Sequence, residues 1–397
     1  MTKSDPTDMD AELERLRMKM GKALHGFEKE PPPNFSEFSL RPHTPDRRLF
    51  PVPELVLFGL RNIMGFPASG PWEKVRWTVY ATVEGYPFGF ADRKFGFRVM
   101  ARGDTPQALI DRVSKQLSSS LKLLEPHLTK VAKAQIAIGN LTLENRMAMY
   151  TDRYEFFRKQ ADDAFAFEPK EITPQADTPE GAIDFLHLAI GSRNQKGESD
   201  AHGFFASSAM IDAWFSRLEH RMLLLRAFKG TPLQPGDFET FIAAKWDERF
   251  KMLFGQAIDK KTGELLGDLR RVKEGLRNPL AHGGIKNDGG SFYFHLPAVG
   301  AVPANLSRYR DRVEFSFFPI PAGTHEETCR LFDDVDAVLT TGEFELPNEF
   351  VRWGLDPQFD AKSLTRYGEA IAEGPDAVEA LVNRLGWEWE QHANMDY

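Results

Sequence analysis

Residues 203–228, GFFASSAMIDAWFSRLEHRMLLLRAF, decide the fold class. Ile211, Trp214, Phe215, Leu218, Met222 and Leu225 recur at steps of three and four, which gathers them on one side of a helix. A stripe with two large aromatics needs partner helices to cover it, and the downstream sequence supplies them. Residues 236–254 carry Phe241, Trp246 and Phe250, and residues 262–277 carry Leu265, Leu269, Val272 and Leu276 at helical spacing. Residues 325–340 complete a fourth helix. The reading for 203–340 is an antiparallel four-helix bundle, with a strand pair (291–296 and 312–318) inserted before the last helix.

Working backwards, Thr178-Pro179 caps a helix ending near Gly191, and the polar run 192–200 (SRNQKGESD) reads as a loop. A long helix is predicted over 143–165, with Met147, Tyr150, Tyr154, Phe157 and Phe165 inward. Residues 168–177 read as a linker, which puts a boundary near 170. Nearer the N-terminus, 9–25 form an amphipathic helix through Leu13, Leu16, Met20 and Leu24, followed by a proline-rich connection over 31–53. Residues 75–83 and 93–101 alternate apolar and polar, as a strand pair joined through Gly85–Phe90 would. Thr105-Pro106 is an N-cap and first-turn proline, opening a helix that Pro126 interrupts. The expected fold is α+β and mainly α: a helix in 1–30, a smaller α/β domain over 31–170, the helical domain over 178–345, and an acidic extension over 346–397.

A single cysteine, Cys329, excludes an internal disulfide and a cysteine-rich zinc site. The polar start MTKSDPTDMDAELERL is unlike a signal peptide, and no run of about 18 apolar residues occurs. A cytoplasmic protein without membrane contact is expected. No His-Glu-x-x-His spacing and no Gly-Lys-Ser/Thr loop is present, so neither metal nor cofactor is expected. The net charge of -8 conceals a basic stretch, 41–122, with 13 Lys/Arg against 7 Asp/Glu, and an acidic one, 324–397, with 5 against 17. Such asymmetry suits a polyanion surface beside a solvating or pairing tail.

The helix of 262–277 runs into Arg277-Asn278-Pro279-Leu280-Ala281-His282, then Gly283-Gly284. A residue before proline avoids the α region, and asparagine is a strong N-cap. Asn278 should therefore break the helix and let Arg277 and His282 converge. Arginine can hold two phosphate oxygens in a fork, and histidine moves protons near neutrality. Arg270 and Lys273, on the same face as Arg277, extend a basic ridge suited to RNA. This set can cleave RNA through its own 2′-hydroxyl, with Arg277 on the phosphate, His282 as general acid/base and Asn278 fixing the turn.

This pattern, an arginine, a polar residue, and a histidine after four intervening residues at a helix end, resembles the HEPN superfamily of helical ribonucleases and nucleotide-binding domains. The resemblance covers roughly 178–345. It implies a metal-independent endoribonuclease, a homodimer whose two motifs share a composite site, and a place among bacterial toxin or anti-phage effectors. Control would come from the N-terminal domain, the acidic tail, or a separate partner or antitoxin. Pro279 and the insertion at 283–324 depart from the family pattern.

Asp212 and Glu219, seven apart on the helix of 203–228, are candidate supports for Arg277 or His282; a bundle salt bridge is the simpler expectation. His220 is expected to face solvent. Arg93, Lys94, Arg98 and Arg102 interleave with Phe95, Phe97 and Val99, which predicts aromatics in the core and a basic solvent face able to take a polyanion. Two other functions fit the same residues. One is a non-catalytic HEPN-like dimerisation or nucleotide-binding module; the other is a nucleic-acid-binding regulator using 41–122.

Overall fold

The computed structural model describes residues 6–31, 39–170, 179–255, 258–278, 293–303, 307–309, 312–314 and 320–395. As predicted, the chain is α+β and mainly helical. It forms two compact units, residues 1–135 with 383–397, and residues 136–382.

The first unit contains α1 (Pro6–Ala23), α2 (Glu54–Leu57, continued by a π-turn over Phe58–Ile63), α3 (Gln107–Leu121) and α4 (Glu125–Ala137). Its strands are β1 (Phe27–Glu28), β2 (Leu40–His43), β3 (Ala68–Ser69), β4 (Val75–Val83), β5 (Tyr86–Arg93) and β6 (Gly96–Arg102). The antiparallel sheet has the order β1-β4-β5-β6-β2, with β3 also on β4. Alternation sends Trp77, Val79, Ala81, Phe88, Phe90, Phe97 and Val99 into one core with Leu16, Met20 and Leu24 of the N-terminal segment and Val113 and Leu117 of α3. Residues 1–30 are therefore not a separate element. Phe95 departs from the expected inward aromatics and is 81% exposed.

Strand β5 corrects the reading of Gly85–Phe90 as a connection. Phe88 and Phe90 face the core, and Gly89 and Ala91 are buried on the other face, so the segment lacks the polar alternation of a half-exposed strand. The true turn is Glu84-Gly85, with φ of 53° and 77°, the paired positive values a tight hairpin demands. Thr105 does not cap α3; its hydroxyl is buried without a partner, and Pro106 leads into the helix with ψ of 135°.

The second unit is built on α5 (Met147–Phe165) and α6 (Pro179–Phe228). Tyr150 meets His220, while Lys196 Nζ and Ser199 Oγ donate to the carbonyls of Phe165 and Ala164, so the two helices run antiparallel. These bonds explain why residues 192–200, expected as a loop, are helical. Gly197 within this run costs about 1 kcal/mol, and fixation against α5 offsets that. Because α5 packs on α6, it belongs to this unit, and the division falls at 135/136 instead of near 170.

After α6 come α7 (Asp237–Ala243), α8 (Trp246–Phe254), α9 (Lys260–Val272), a π-turn over Lys273–Arg277, and α10 (Ala322–Thr340). The helix expected over 236–254 is two, because Ala244 and Lys245 are extended and Glu248 accepts the Lys245 N–H to start α8. Among its described residues the insertion holds two hairpins instead of one: β7 (Tyr293–Leu296) with β8 (Gly300–Pro303), and β9 (Ser307–Tyr309) with β10 (Arg312–Glu314). Residues 291–292 and 315–318 of the expected strands lie outside the described residues.

The acidic extension is folded, into α11 (Glu345–Arg352), α12 (Ala361–Glu373) and α13 (Pro375–Asn394). Trp214 stacks on Phe332 with ring centroids 3.9 Å apart, and Phe228 packs between Phe350 at 5.0 Å and Tyr367 at 5.1 Å. Residues 345–382 thus complete the helical core, because Phe228 of α6 packs on both Phe350 and Tyr367.

Gly230 ends α6 at φ +66°, and a Cβ there would overlap the backbone nitrogen of Gly368 in α12. Gly230→Ala is expected to lower the thermal midpoint by about 5–10 °C, since backbone cannot yield as a side chain can. Gly342→Ala, also at a positive φ but with open space around it, separates the conformational cost from the overlap. Differential scanning fluorimetry of the two variants measures the difference.

Candidate functional site

Arg277 and Asn278, the described part of the motif, follow α9 through a π-turn. Leu265, Leu269, Val272 and Leu276 are all buried, as their spacing predicts, which turns Arg270, Lys273 and Arg277 toward α6 and α8. The last turn widens to i→i−5 bonding, and the Asn278 N–H donates to the Lys273 carbonyl. Asn278 itself is helical, with φ −64° and ψ −43°. Asn278, expected to leave the α region before Pro279, is therefore still helical, and it follows a turn widened to i→i−5 bonding. Pro279, Leu280, Ala281 and His282 lie outside the described residues.

Arg277 Nε donates to Asp212 Oδ1 at 2.9 Å, and its guanidinium carbon lies 5.6 Å from the Phe215 ring centroid. Among the described residues its two terminal nitrogens have no hydrogen-bond partner. Asp212 also faces Arg153 of α5 at 3.9 Å. One turn deeper, Lys273 Nζ lies 3.9 Å from Glu219 and about equally close to Phe215 and Trp246, at 5.3 and 5.0 Å. Burial lowers the Lys273 pKa, and Glu219 opposes that. Glu219 also takes Arg249 at 3.3 Å, while Arg270 forks onto one oxygen of Asp247 at 2.7 and 3.0 Å. Burial of Asp247 works against its ionisation, but the Arg270 hydrogen bond, the Arg270 charge and backbone N–H donors together outweigh it, and the carboxyl pKa is lowered.

The expected open ridge is thus a packed ion-pair network. Arg270, Lys273 and Arg277 each have a carboxylate partner, because the face opposite the leucines meets α6 and α8 instead of solvent. Asp212 and Glu219 both join it. Five cations (Arg153, Arg249, Arg270, Lys273, Arg277) share three carboxylates, so the network keeps a positive excess. Cations in excess, with one guanidinium edge uncommitted, suit an anionic ligand.

Two groups escaped the sequence reading. His220 is buried, not solvent-facing, and its Nε2 accepts the Arg146 N–H at 3.0 Å. Burial, then the Arg146 charge, lowers its pKa below the usual histidine value near 6.5. The neutral ring is therefore the folded form. Its stabilisation is complete above about pH 6.5 and is lost as pH falls from there toward the depressed folded-state value. Urea midpoints between pH 7.5 and 5 should fall less steeply for His220→Gln than for the natural chain.

The second group is a chain from Ser207 Oγ through His325 Nδ1 (2.9 Å) and His325 Nε2 to Asp162 Oδ1 (2.8 Å). The order matches a serine hydrolase relay, but Ser207 is fully buried in mid-helix, where no substrate carbonyl reaches it. It ties α5, α6 and α10 together.

Among the described residues no group of side chains could hold a metal ion, and no helix is long and apolar enough to cross a membrane. Comparison with protein-family models, curated proteins and solved structures returns no match.

Proposed function

We propose that residues 136–382 form a metal-independent endoribonuclease of the HEPN type, acting as a regulated toxin or anti-phage effector. The reading is carried by Arg277, oriented by Asp212 through Nε, with its terminal nitrogens free of described partners in a network of excess positive charge. In the reaction the RNA 2′-oxygen attacks the adjacent phosphorus, and the bond to the 5′-oxygen breaks. A 2′,3′-cyclic phosphate and a 5′-hydroxyl result. Arg277 stabilises the charge that builds on the phosphoryl oxygens, and His282 moves the proton from the 2′-hydroxyl or to the 5′-oxygen. Arg270 and Lys273, already paired, act through the local field. Two copies of the motif would face one another in a homodimer.

The pairing of Arg270, Lys273 and Arg277 also favours a second reading, a non-catalytic module in which these cations only fasten α9 to α6 and α8. RNA incubated with the protein in EDTA separates the two. The nuclease reading expects fragments with cyclic-phosphate ends that His282→Ala and Arg277→Ala do not produce. Equal cleavage by both variants, or intact RNA throughout, sinks it.

A further inference from the structure

The sheet of the first unit has one face covered by helices and one that is not. On the uncovered face the register aligns Thr78, Ala91 and Gly89 at the centre of β4 and β5, beside Met100 of β6. Small residues in the centre and large ones at the rim leave a cavity of about 550 Å³, lined also by Trp72, Tyr80 and Arg93. That volume lies within the roughly 300–1,000 Å³ of small-molecule sites.

The site is built, not incidental. Gly89 lets the lining side chains close in beneath the cavity: a Cβ there would press on Met100, Thr78 and Leu40, all three of which line it, at 3.2–3.4 Å. Tyr80 is steadied by a hydrogen bond of 2.7 Å between its hydroxyl and that of Ser69. Trp72 is held by reciprocal backbone bonds with Val75, at 3.0 and 2.9 Å. Lys74, two residues after Trp72, donates its backbone N–H to the Met395 carbonyl at 3.0 Å, which braces the rim.

The charge is one-sided. The Arg93 guanidinium lines the cavity and makes no hydrogen bond or ion pair with any described residue. The neighbouring carboxylate, Asp92, alternates to the other face and is held by Arg76 at 2.9 Å. Arg98 stands beside Ala91 on the same face as Arg93. A smaller cavity of about 140 Å³ shares the Tyr80 wall and adds Lys29. An unneutralised guanidinium seeks a phosphate or carboxylate, and an exposed Trp72 beside a half-buried Tyr80 can take a planar ring.

We infer that the uncovered sheet face of the first unit binds a nucleotide, its base against Trp72 and Tyr80 and its phosphate on Arg93. The nucleotide is either free or part of a single strand, and this assignment does not rest on the ribonuclease reading.

Isothermal titration with each of the four ribonucleoside 5′-monophosphates, and with 2′-O-methyl pentanucleotides that cannot be cleaved by 2′-oxygen attack, tests it. Saturable binding by a monophosphate is expected for a free ligand, and by pentanucleotides alone for a strand. The matching nucleoside and inorganic phosphate should each bind at least tenfold more weakly than the monophosphate. Arg93→Gln and Trp72→Ala should each weaken binding about tenfold or more, the loss expected for a charge-assisted hydrogen bond or a stacked base. Both replace exposed or half-buried side chains, so unchanged melting curves verify folding. Binding lost in Arg93→Gln and Trp72→Ala is thereby assigned to the sheet face and kept separate from cleavage. No binding of any probe at millimolar concentration, or binding unaffected by Arg93→Gln and Trp72→Ala, overturns the assignment.

Discussion

Replacing Asp336 by alanine is expected to destabilise the second unit by about 3–5 kcal/mol, the cost of breaking a buried ion pair from one side. Arg217 and Arg221 lie one turn apart on α6, with side chains only 5% and 11% exposed. Both depend on the same carboxylate of α10. Arg221 reaches Asp336 Oδ1 at 2.8 Å, and Arg217 bonds the other oxygen. The Tyr154 ring lies 4.2 Å from the Arg217 guanidinium carbon and softens its burial, but Nε of both arginines is buried without a partner. Two desolvated cations on one anion leave no margin. Without Asp336 both charges stay buried and uncompensated, and burial already lowers the Arg221 pKa.

Asp336→Asn keeps an acceptor and removes the charge, so it should fall between alanine and the natural residue. Glu349→Ala, which removes an exposed pair with Arg352, should change nothing measurable. Urea denaturation gives all three values. A loss below about 1 kcal/mol for Asp336→Ala would mean that water or backbone already solvates the arginines.

The same contrast explains what the sequence could reveal. Apolar spacing is a local signal, and Leu265, Leu269, Val272 and Leu276 all became buried where their periodicity put them. Carboxylate partners are not local. Asp212 lies 65 residues before Arg277 and Asp247 lies 23 before Arg270, so the ridge was legible as charge but not as a set of pairs. Helix continuity failed for a related reason. Gly191, Gly197 and a polar run look like a loop, and what holds them helical is bonding from Lys196 and Ser199 to the end of another helix. The uncovered sheet face was half legible: alternation predicts basic residues on it, but the cavity needs small residues aligned across β4 and β5, and the connection expected over Gly85–Phe90 hides most of β5. The motif itself was the most local feature, yet Asn278, where the break was expected, is helical, because the preceding turn widens to i→i−5 bonding and carries the helix through it.

Arg277→Ala is expected to reduce RNA cleavage at least about 100-fold, the usual loss when one preorganised donor to a developing oxyanion is removed. Folding should barely change, because the pair it forms with Asp212 is partly exposed, at 26% and 44%. Arg277→Lys keeps the charge but not the fork, and should recover only part of the activity. Asp212 gives the more discriminating result. If it orients the guanidinium through Nε, Asp212→Ala frees Arg277 to rotate while adding positive field at the site. RNA binding should then hold or tighten, and cleavage should fall about tenfold as the oriented geometry is lost. A purely structural pair predicts the opposite pattern: both variants melt earlier, and cleavage follows the folded fraction. Single-turnover cleavage and filter binding on the same preparations, with melting curves beside them, decide between the two. Wild-type cleavage by a fully folded Arg277→Ala protein removes Arg277 from the reaction.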